Sequence, residues 1–169
     1  MLPSYHTAYI ALGSNLDDRL ARIDAATDSL TRLARTPLVL SHLYDTTPMY
    51  LETQPRFVNG VAKLETDLQP AALLEALLAI EASMGRLRAE RNGPRVIDLD
   101  LLLWNDLTLE TTELTLPHPR LHERPFVLRP MVDLAPSLQH PSLHGTMEQL
   151  WSELEQTLAP HERPVRIVR

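Results

Sequence analysis

The stretch Gly93-Pro94-Arg95-Val96-Ile97-Asp98-Leu99-Asp100-Leu101-Leu102-Leu103-Trp104 constrains this chain more than any other. A Gly-Pro turn opens it, and the aliphatic run that follows has the composition of a buried strand. Two carboxylates lie inside that run, at Asp98 and Asp100. Side chains alternate faces along a strand, so residues two apart point the same way, with Cα atoms about 6.5 Å apart. Asp98 and Asp100 therefore share a face, and Ile97, Leu99 and Leu101 fill the other. Like charges placed side by side in an apolar strand repel, and they resist losing water unless a cation or hydrogen-bond donors neutralise them. Either this is an edge strand whose acidic face looks at water, or the pair holds a cation. Paired hard oxygens suit Mg²⁺, which takes one or two carboxylates and completes its shell with substrate phosphates.

The segment just upstream bears on that choice. Between Gly85 and Arg95 stand four arginines, Arg86, Arg88, Arg91 and Arg95, in a chain of net charge -6 whose single lysine is Lys63. Guanidinium groups grip phosphate oxygens in a bidentate fork and stay charged at any working pH. A solvated basic loop accounts for the arginines but not for their place beside an acid pair. An arginine-dense loop feeding a paired-aspartate strand is what a metal–triphosphate site requires.

Bulk properties narrow the class. The 169 residues, with 44% hydrophobic and 22% charged content, fit one globular domain with a proper core. No cysteine is present, which removes disulfide, thiolate and zinc–thiolate chemistry. The start carries no leader pattern and no apolar run reaches membrane-span length, so a soluble cytoplasmic protein is expected. An acidic balance, with pI near 5.6, argues against general nucleic-acid binding.

Read in order, Tyr9 to Leu12 is a short buried strand, and Asn15 is placed to cap a helix running from about Leu16 to Ala34. Leu38 to Tyr44 and Phe57 to Glu65 are further strands, separated by a proline-bounded loop from Asp45 to Pro55. In the third strand Val58, Gly60, Ala62 and Leu64 fit a core face, which leaves Phe57 and Asn59 on the other. Pro70 opens a second helix that Gly85 ends, its apolar stripe interrupted by Glu81. The paired-aspartate strand completes a strand–helix–strand–strand–helix–strand order. That order predicts an α+β ferredoxin-like βαββαβ sandwich. Both helices are expected on one face of the sheet, leaving the opposite face free for a site. Short helices are expected at 125–134 and 147–158, with a loose or edge element from Pro160 to Arg169. One domain spans 1–169, its core about 8–136 and its C-terminal extension 137–169.

No Gly-x-x-x-x-Gly-Lys-Ser/Thr loop exists, and five glycines leave little for any glycine-rich cradle, so phosphates fall to arginine and metal. His118 lies between two prolines, a stiff mount suited either to a structural role or to a phosphate contact. Arg120, Arg124 and Arg129 add positive charge nearby, of which Arg129 reads as a surface residue. Phe57 and Phe126 are the only phenylalanines. Each is ordinary core material by composition, but Phe57 beside Asn59 offers a ring to stack on and an amide to read the edge of a flat heterocycle.

These blocks together are recognisable. Tyr9-Ile10-Ala11-Leu12-Gly13-Ser14-Asn15, Tyr44-Asp45-Thr46-Thr47-Pro48, Gln54-Pro55-Arg56-Phe57-Val58-Asn59, Gly85-Arg86-Leu87-Arg88, the Gly93 to Asp100 block, Pro117-His118-Pro119-Arg120 and Arg124-Pro125-Phe126 resemble the 6-hydroxymethyl-7,8-dihydropterin pyrophosphokinase family of folate biosynthesis. The likeness runs from Tyr9 to about Pro136. It implies transfer of diphosphate from ATP to the pterin's hydroxymethyl group, with release of AMP. It also implies two Mg²⁺ ions on Asp98 and Asp100, with Arg86 and Arg88 joining them as catalytic residues. By the same resemblance the pterin contacts Thr46, Pro48, Met49, Phe57, Asn59 and Phe126, and ATP contacts Arg86, Arg88, Arg95, Thr115, His118 and Arg124. A monomer with only small-molecule partners is expected. Asn92 stands where some relatives carry tryptophan, Glu113 where some carry arginine, and the arginine loop is one residue shorter. A loop from 86 to 94 that closes over ATP is expected to close less firmly for that reason. The alternative is a non-catalytic ferredoxin-like module that senses a nucleotide or metal. It has no need of two metal ligands aimed at a triphosphate.

Overall fold

A computed structural model describes residues 4–50, 53–86 and 93–169. Arg88, Arg91 and Asn92, and with them most of the expected closing loop, lie outside the described residues. The elements run β1 (His6–Ser14), α1 (Arg19–Thr31), β2 (Val39–Leu40), β3 (Tyr44–Thr46), β4 (Phe57–Thr66), α2 (Pro70–Ser83) and β5 (Asp98–Trp104). Then follow a small hairpin of β6 (Leu109–Glu110) and β7 (Thr115–Leu116), α3 (Pro125–Leu134), α4 (Met147–Glu155) and β8 (Val165–Arg166). Among the described residues no helix is long and apolar enough to cross a membrane.

The main sheet is antiparallel throughout. Its order is β5-β1-β4-β3-β8, and β2 also pairs with β4. β1 and β4 are its long central strands, and β1 is apolar on both faces from Ala8 to Leu12. Ala8, Ile10 and Leu12 of β1 join Val58, Ala62 and Leu64 of β4 and Leu99 and Leu101 of β5 in one core cluster. Ile23, Ala26 and Leu30 of α1 and Leu73 and Leu77 of α2 cover it, so the period of 3.6 on the helices meets the period of 2 on the strands. Each aliphatic side chain fully removed from water here contributes about 1.5–3 kcal/mol before entropy is counted.

The opposite face corrects an expectation. It is not free. Tyr9, Ala11, Val61, Leu102 and Leu103 form a second cluster there with Val127, Leu128 and Met131 of α3 and Met147 and Leu150 of α4. The C-terminal helices thus make a third layer. A register shift in the β1–β5 pairing, between Tyr9 and Ile10, lets consecutive Leu102 and Leu103 both enter this layer.

The first helix also starts later than its apolar spacing suggests. Asp18, not Asn15, is its cap: the Asp18 carboxylate accepts from the Ala21 N–H at 3.1 Å. Asp17 precedes it with φ of 59°, a left-handed turn that Asp tolerates better than most residues. The second helix agrees with its sequence signals, from Pro70 at the first turn to Gly85 at φ +83°. The strand expected from Leu38 to Tyr44 is split into β2 and β3. At the far end β8 adds to the edge of β3, and the Ile167 N–H donates to the Leu43 carbonyl at 2.8 Å. The Arg169 guanidinium grips both oxygens of Asp24 on α1, at 2.7 and 3.1 Å.

Candidate active site

At one end of the sheet α3 stops short of covering it, and the third layer gives way to a cavity of about 360 Å³. Its floor follows from strand register. Tyr44, Asn59, Gly13 and Asp98 lie in one row across β3, β4, β1 and β5, each paired with the next. Side chains in such a row share a face. Gly13 therefore leaves a gap between a carboxamide and a carboxylate. An added Cβ at Gly13 would come within 2.7 Å of Asn59 Nδ2.

The aromatic half gathers around Asn59, which is buried. Its Oδ1 accepts from the Thr46 hydroxyl at 2.6 Å, and its Nδ2 donates to the Leu12 carbonyl at 3.3 Å. Those bonds fix which way the amide faces. Phe57, at the start of β4, and Phe126, in the first turn of α3, both line the cavity together with Thr46, Met49 and Tyr50. Beneath them Tyr44 donates to Asp133 of α3 at 2.8 Å, and burial with this bond pushes the phenol up to about 12. The bond ties β3 to the helix that carries Phe126.

The charged half gathers around Asp98. Arg86 donates to its Oδ1 at 2.6 Å and Arg95 to its Oδ2 at 3.0 Å. Arg124 stands 3.7 Å from Asp100 Oδ2 and donates to the Tyr50 hydroxyl at 3.2 Å. Burial, followed by the like charge of Asp98, pushes the Asp100 carboxyl up to about 7. His118 is held the other way: burial, then the charge of Arg124, lowers it to about 4. Its Nδ1 accepts from the Arg120 N–H at 3.1 Å, so the neutral ring carries its proton on Nε2. Among the described residues no three His, Asp or Glu side chains converge as a ready-made metal cage.

Of the residues singled out in the sequence, Thr46, Met49, Phe57, Asn59, Arg86, Arg95, Asp98, Asp100, His118, Arg124 and Phe126 line this one cavity. Pro48 lines a neighbouring cavity that shares Thr46, Met49 and Phe126. Thr115 sits in β7 and lines neither. Arg88 is outside the described residues.

Sequence reasoning missed Glu81. Read as a charge interrupting an apolar stripe, it is 3% exposed, accepts from the Leu99 N–H at 2.9 Å and pairs with Arg86. A lone carboxylate on the apolar face of a helix, five residues before Arg86, was the available signal. Tyr50 was missed too. Arg120 lies 4.5 Å over its ring.

Comparison with known proteins agrees with this geometry. A family model described as 7,8-dihydro-6-hydroxymethylpterin-pyrophosphokinase matches residues 9–136. The chain is 50% identical over 134 residues to the 2-amino-4-hydroxy-6-hydroxymethyldihydropteridine pyrophosphokinase of Pseudomonas aeruginosa, covering 79% of this chain and 83% of that one. It is 40% identical over 157 residues to the enzyme of the same name from Haemophilus influenzae, covering 92% and 95%. A folic acid synthesis protein of Schizosaccharomyces pombe is 43% identical over 148 residues, which is 87% of this chain but 20% of that longer protein. In fold, the chain matches an HPPK-DHPS structure in complex with substrates at TM-score 0.77 and 14% identity, covering 92% of this chain and 44% of that one. The Plasmodium falciparum HPPK-DHPS with pteroate gives 0.79 at 15% identity, covering 98% and 48%. The chain thus spans under half of those solved chains and a fifth of the fission-yeast protein, but most of the two bacterial enzymes. The matched span holds every strand and helix that lines the cavity, and on that ground the chain belongs to the 7,8-dihydro-6-hydroxymethylpterin-pyrophosphokinase family.

Proposed function

We propose that this chain transfers the terminal diphosphoryl group of ATP to the hydroxymethyl oxygen of 6-hydroxymethyl-7,8-dihydropterin, releasing AMP. One observation carries the reading. An aromatic–carboxamide wall and an acid–arginine wall face one cavity, on either side of a glycine floor. A flat heterocycle with a short alcohol arm fills the first wall and points its oxygen at the second.

Phe57 and Phe126 sandwich the pterin ring, and Asn59 with the backbone near Thr46 to Met49 pairs with its edge. Arg86, Arg95, Arg124 and the neutral His118 Nε2–H hold phosphate oxygens, and Arg88 joins them from its loop. The reaction forms a bond from the alcohol oxygen to the β-phosphorus and breaks the bond from that phosphorus to the α–β bridging oxygen. The alcohol proton is released and the electron pair leaves on AMP. Such a transfer is accelerated mainly by alignment and by cancelling charge.

The donor set fits Mg²⁺. Asp98 and Asp100 present hard oxygens from one strand face, and among the described residues the cation nearest to Asp100 is Arg124, 3.7 Å away. These two residues would hold the metal, as two ions, which neutralises triphosphate charge when bound. The arginines on Asp98 are then free to turn to phosphate oxygens.

The strand order, with the fourth core strand beside the first and the third between first and second, supports the ferredoxin-like reading of residues 8–136. Residues 137–169 are the extension that adds the third layer. The sensing alternative has no observation in its favour. Incubation with ATP and Mg²⁺ tests the assignment. AMP should appear only when the pterin alcohol is present, in equal amount to pterin diphosphate. ATP bound without AMP release under those conditions would return the chain to a sensor.

A further inference from the structure

We infer that Asn15 is a positioning residue that joins the two halves of the cavity, so that filling one tightens the other. The inference rests on the assignment of those halves to pterin and nucleotide. Asn15 is 2% exposed and follows directly on β1, the central strand. Its Oδ1 accepts from the Arg95 N–H at 2.8 Å, and its own N–H donates to the Arg95 carbonyl at 3.2 Å. Its Nδ2 donates to Gln54 Oε1 at 2.8 Å and to the Pro55 carbonyl at 3.0 Å.

One acceptor and two donors are therefore all engaged, and each side of the amide serves a different loop. A flipped amide would set N–H against N–H and oxygen against two oxygens, so the orientation is unique. The oxygen side fixes the backbone of Arg95, whose guanidinium bonds Asp98 and lies 5.6 Å over the Phe57 ring. The nitrogen side fixes Gln54 and Pro55, which lead into Phe57 at the start of β4. Phosphate bound by Arg95 orders that backbone against Asn15, and Asn15 presents its donors to the pterin-side loop already aligned. By linkage, the pterin helps the phosphate by the same factor.

Asn15→Asp separates the two arms. It keeps the acceptor for the Arg95 N–H but replaces both donors with an oxygen that faces Gln54 Oε1 and the Pro55 carbonyl. Calorimetry would measure 6-hydroxymethylpterin affinity with and without a non-hydrolysable ATP analogue plus Mg²⁺. In the parent chain the analogue should tighten pterin binding by about tenfold or more. In Asn15→Asp that ratio should fall toward one, while affinity for the analogue alone changes by less than about threefold. Gln54→Ala removes the acceptor of one Asn15 Nδ2 hydrogen bond and should lower the ratio part way, and it decides the matter if Asn15→Asp does not fold. A ratio that stays at the parent value in both variants, whatever happens to melting temperature, overturns the inference and leaves Asn15 as a structural clasp. A parent chain that binds pterin with a ratio of one overturns it as well, and leaves the assigned function standing. A parent chain that binds no pterin at all overturns the functional assignment instead.

Discussion

Glu81 offers the sharpest quantitative test of how the charged half is built. Its carboxylate is buried on α2, accepts from the Leu99 N–H at 2.9 Å and pairs with Arg86, which also reaches Asp98 at 2.6 Å. Glu81→Leu fits an apolar stripe by shape but removes the acceptor that Leu99 and Arg86 use. The orphaned Leu99 N–H costs about 1–3 kcal/mol, because that donor stays buried between strand and helix. Stripping a buried arginine of its whole partner costs about 3–5 kcal/mol, and Asp98 remains here, so about half of that applies. The sum is about 2.5–5.5 kcal/mol. For a chain of this size it lowers the melting temperature by on the order of 10 °C. Glu81→Gln keeps an oxygen for Leu99 and should lose roughly half as much. Urea unfolding of both variants, and of Arg86→Met alone and combined with Glu81→Leu, closes a double-mutant cycle. The combined variant should recover at least about 1 kcal/mol of the additive loss, since an arginine no longer needs a partner. A Glu81→Leu protein within about 0.5 kcal/mol of the parent would refute the reasoning, as would a cycle with no coupling.

Other expectations follow from the same site. Asp100→Asn relieves repulsion with Asp98, so its melting temperature should hold while AMP release falls by at least about 10²-fold at saturating Mg²⁺; near-parental turnover would place the metal elsewhere. His118 titrates near 4 in the folded chain against 6.5 when exposed, so the unfolded chain binds the extra proton between those values. Stability present above pH ~6.5 should drain as pH falls toward 4, by roughly 3 kcal/mol at the limit, and His118→Gln should flatten that part of the profile. An unchanged slope in urea titrations across that range would show that other groups carry it. Gly13→Ala forces Asn59 to move, because 2.7 Å is closer than a Cβ and an amide nitrogen can sit. Pterin affinity measured by calorimetry should fall about tenfold or more, the cost of roughly one misplaced hydrogen bond, while nucleotide affinity holds. Equal losses for both ligands would mean that the whole floor had shifted.

Much of this was legible because the relevant signals are local. Alternation along Asp98–Trp104 and Phe57–Thr66 put the acid pair and the Phe57–Asn59 pair each on one face, and a strand's period of 2 leaves no other outcome. Pro70 and Gly85 bracketed α2 because a missing N–H and a left-handed φ are properties of single residues. What failed depended on the rest of the chain. Asn15 has the side chain of a helix cap and sits where a cap belongs, yet Asp18 takes that task. Partners at positions 54, 55 and 95 claim Asn15 instead, and no local pattern reveals them. The covered second face escaped notice for a related reason. Helices α3 and α4 were expected in place, α4 three residues longer than it is, but which face receives them is set by the apolar residues of strands far earlier in the chain. Glu81 was read only as a charge interrupting an apolar stripe, because Arg86 and the Leu99 N–H reach it from segments that follow it.

The tail strand β8 has a colloidal consequence. Without it, β3 would present unpaired N–H and C=O groups beside the aromatic wall of the cavity, a template on which a second molecule could nucleate cross-strand aggregates. The pairing of Tyr44 with Arg166 and of Asp45 with Val165 exchanges that edge for a new one only two residues long. Pro164 stands immediately before it, Arg163 precedes that proline and Arg166 lies within the strand, so both put positive charge at the edge. A short edge with a proline at its entrance and like charges around it repels its own copy. The Thr47 hydroxyl, donating to the His161 carbonyl at 2.5 Å, fastens the same tail to the loop that borders the aromatic half of the cavity. Solubility and the shape of the binding wall are therefore under one latch, and a change that loosens the C-terminus would surface as turbidity and weakened ligand binding together.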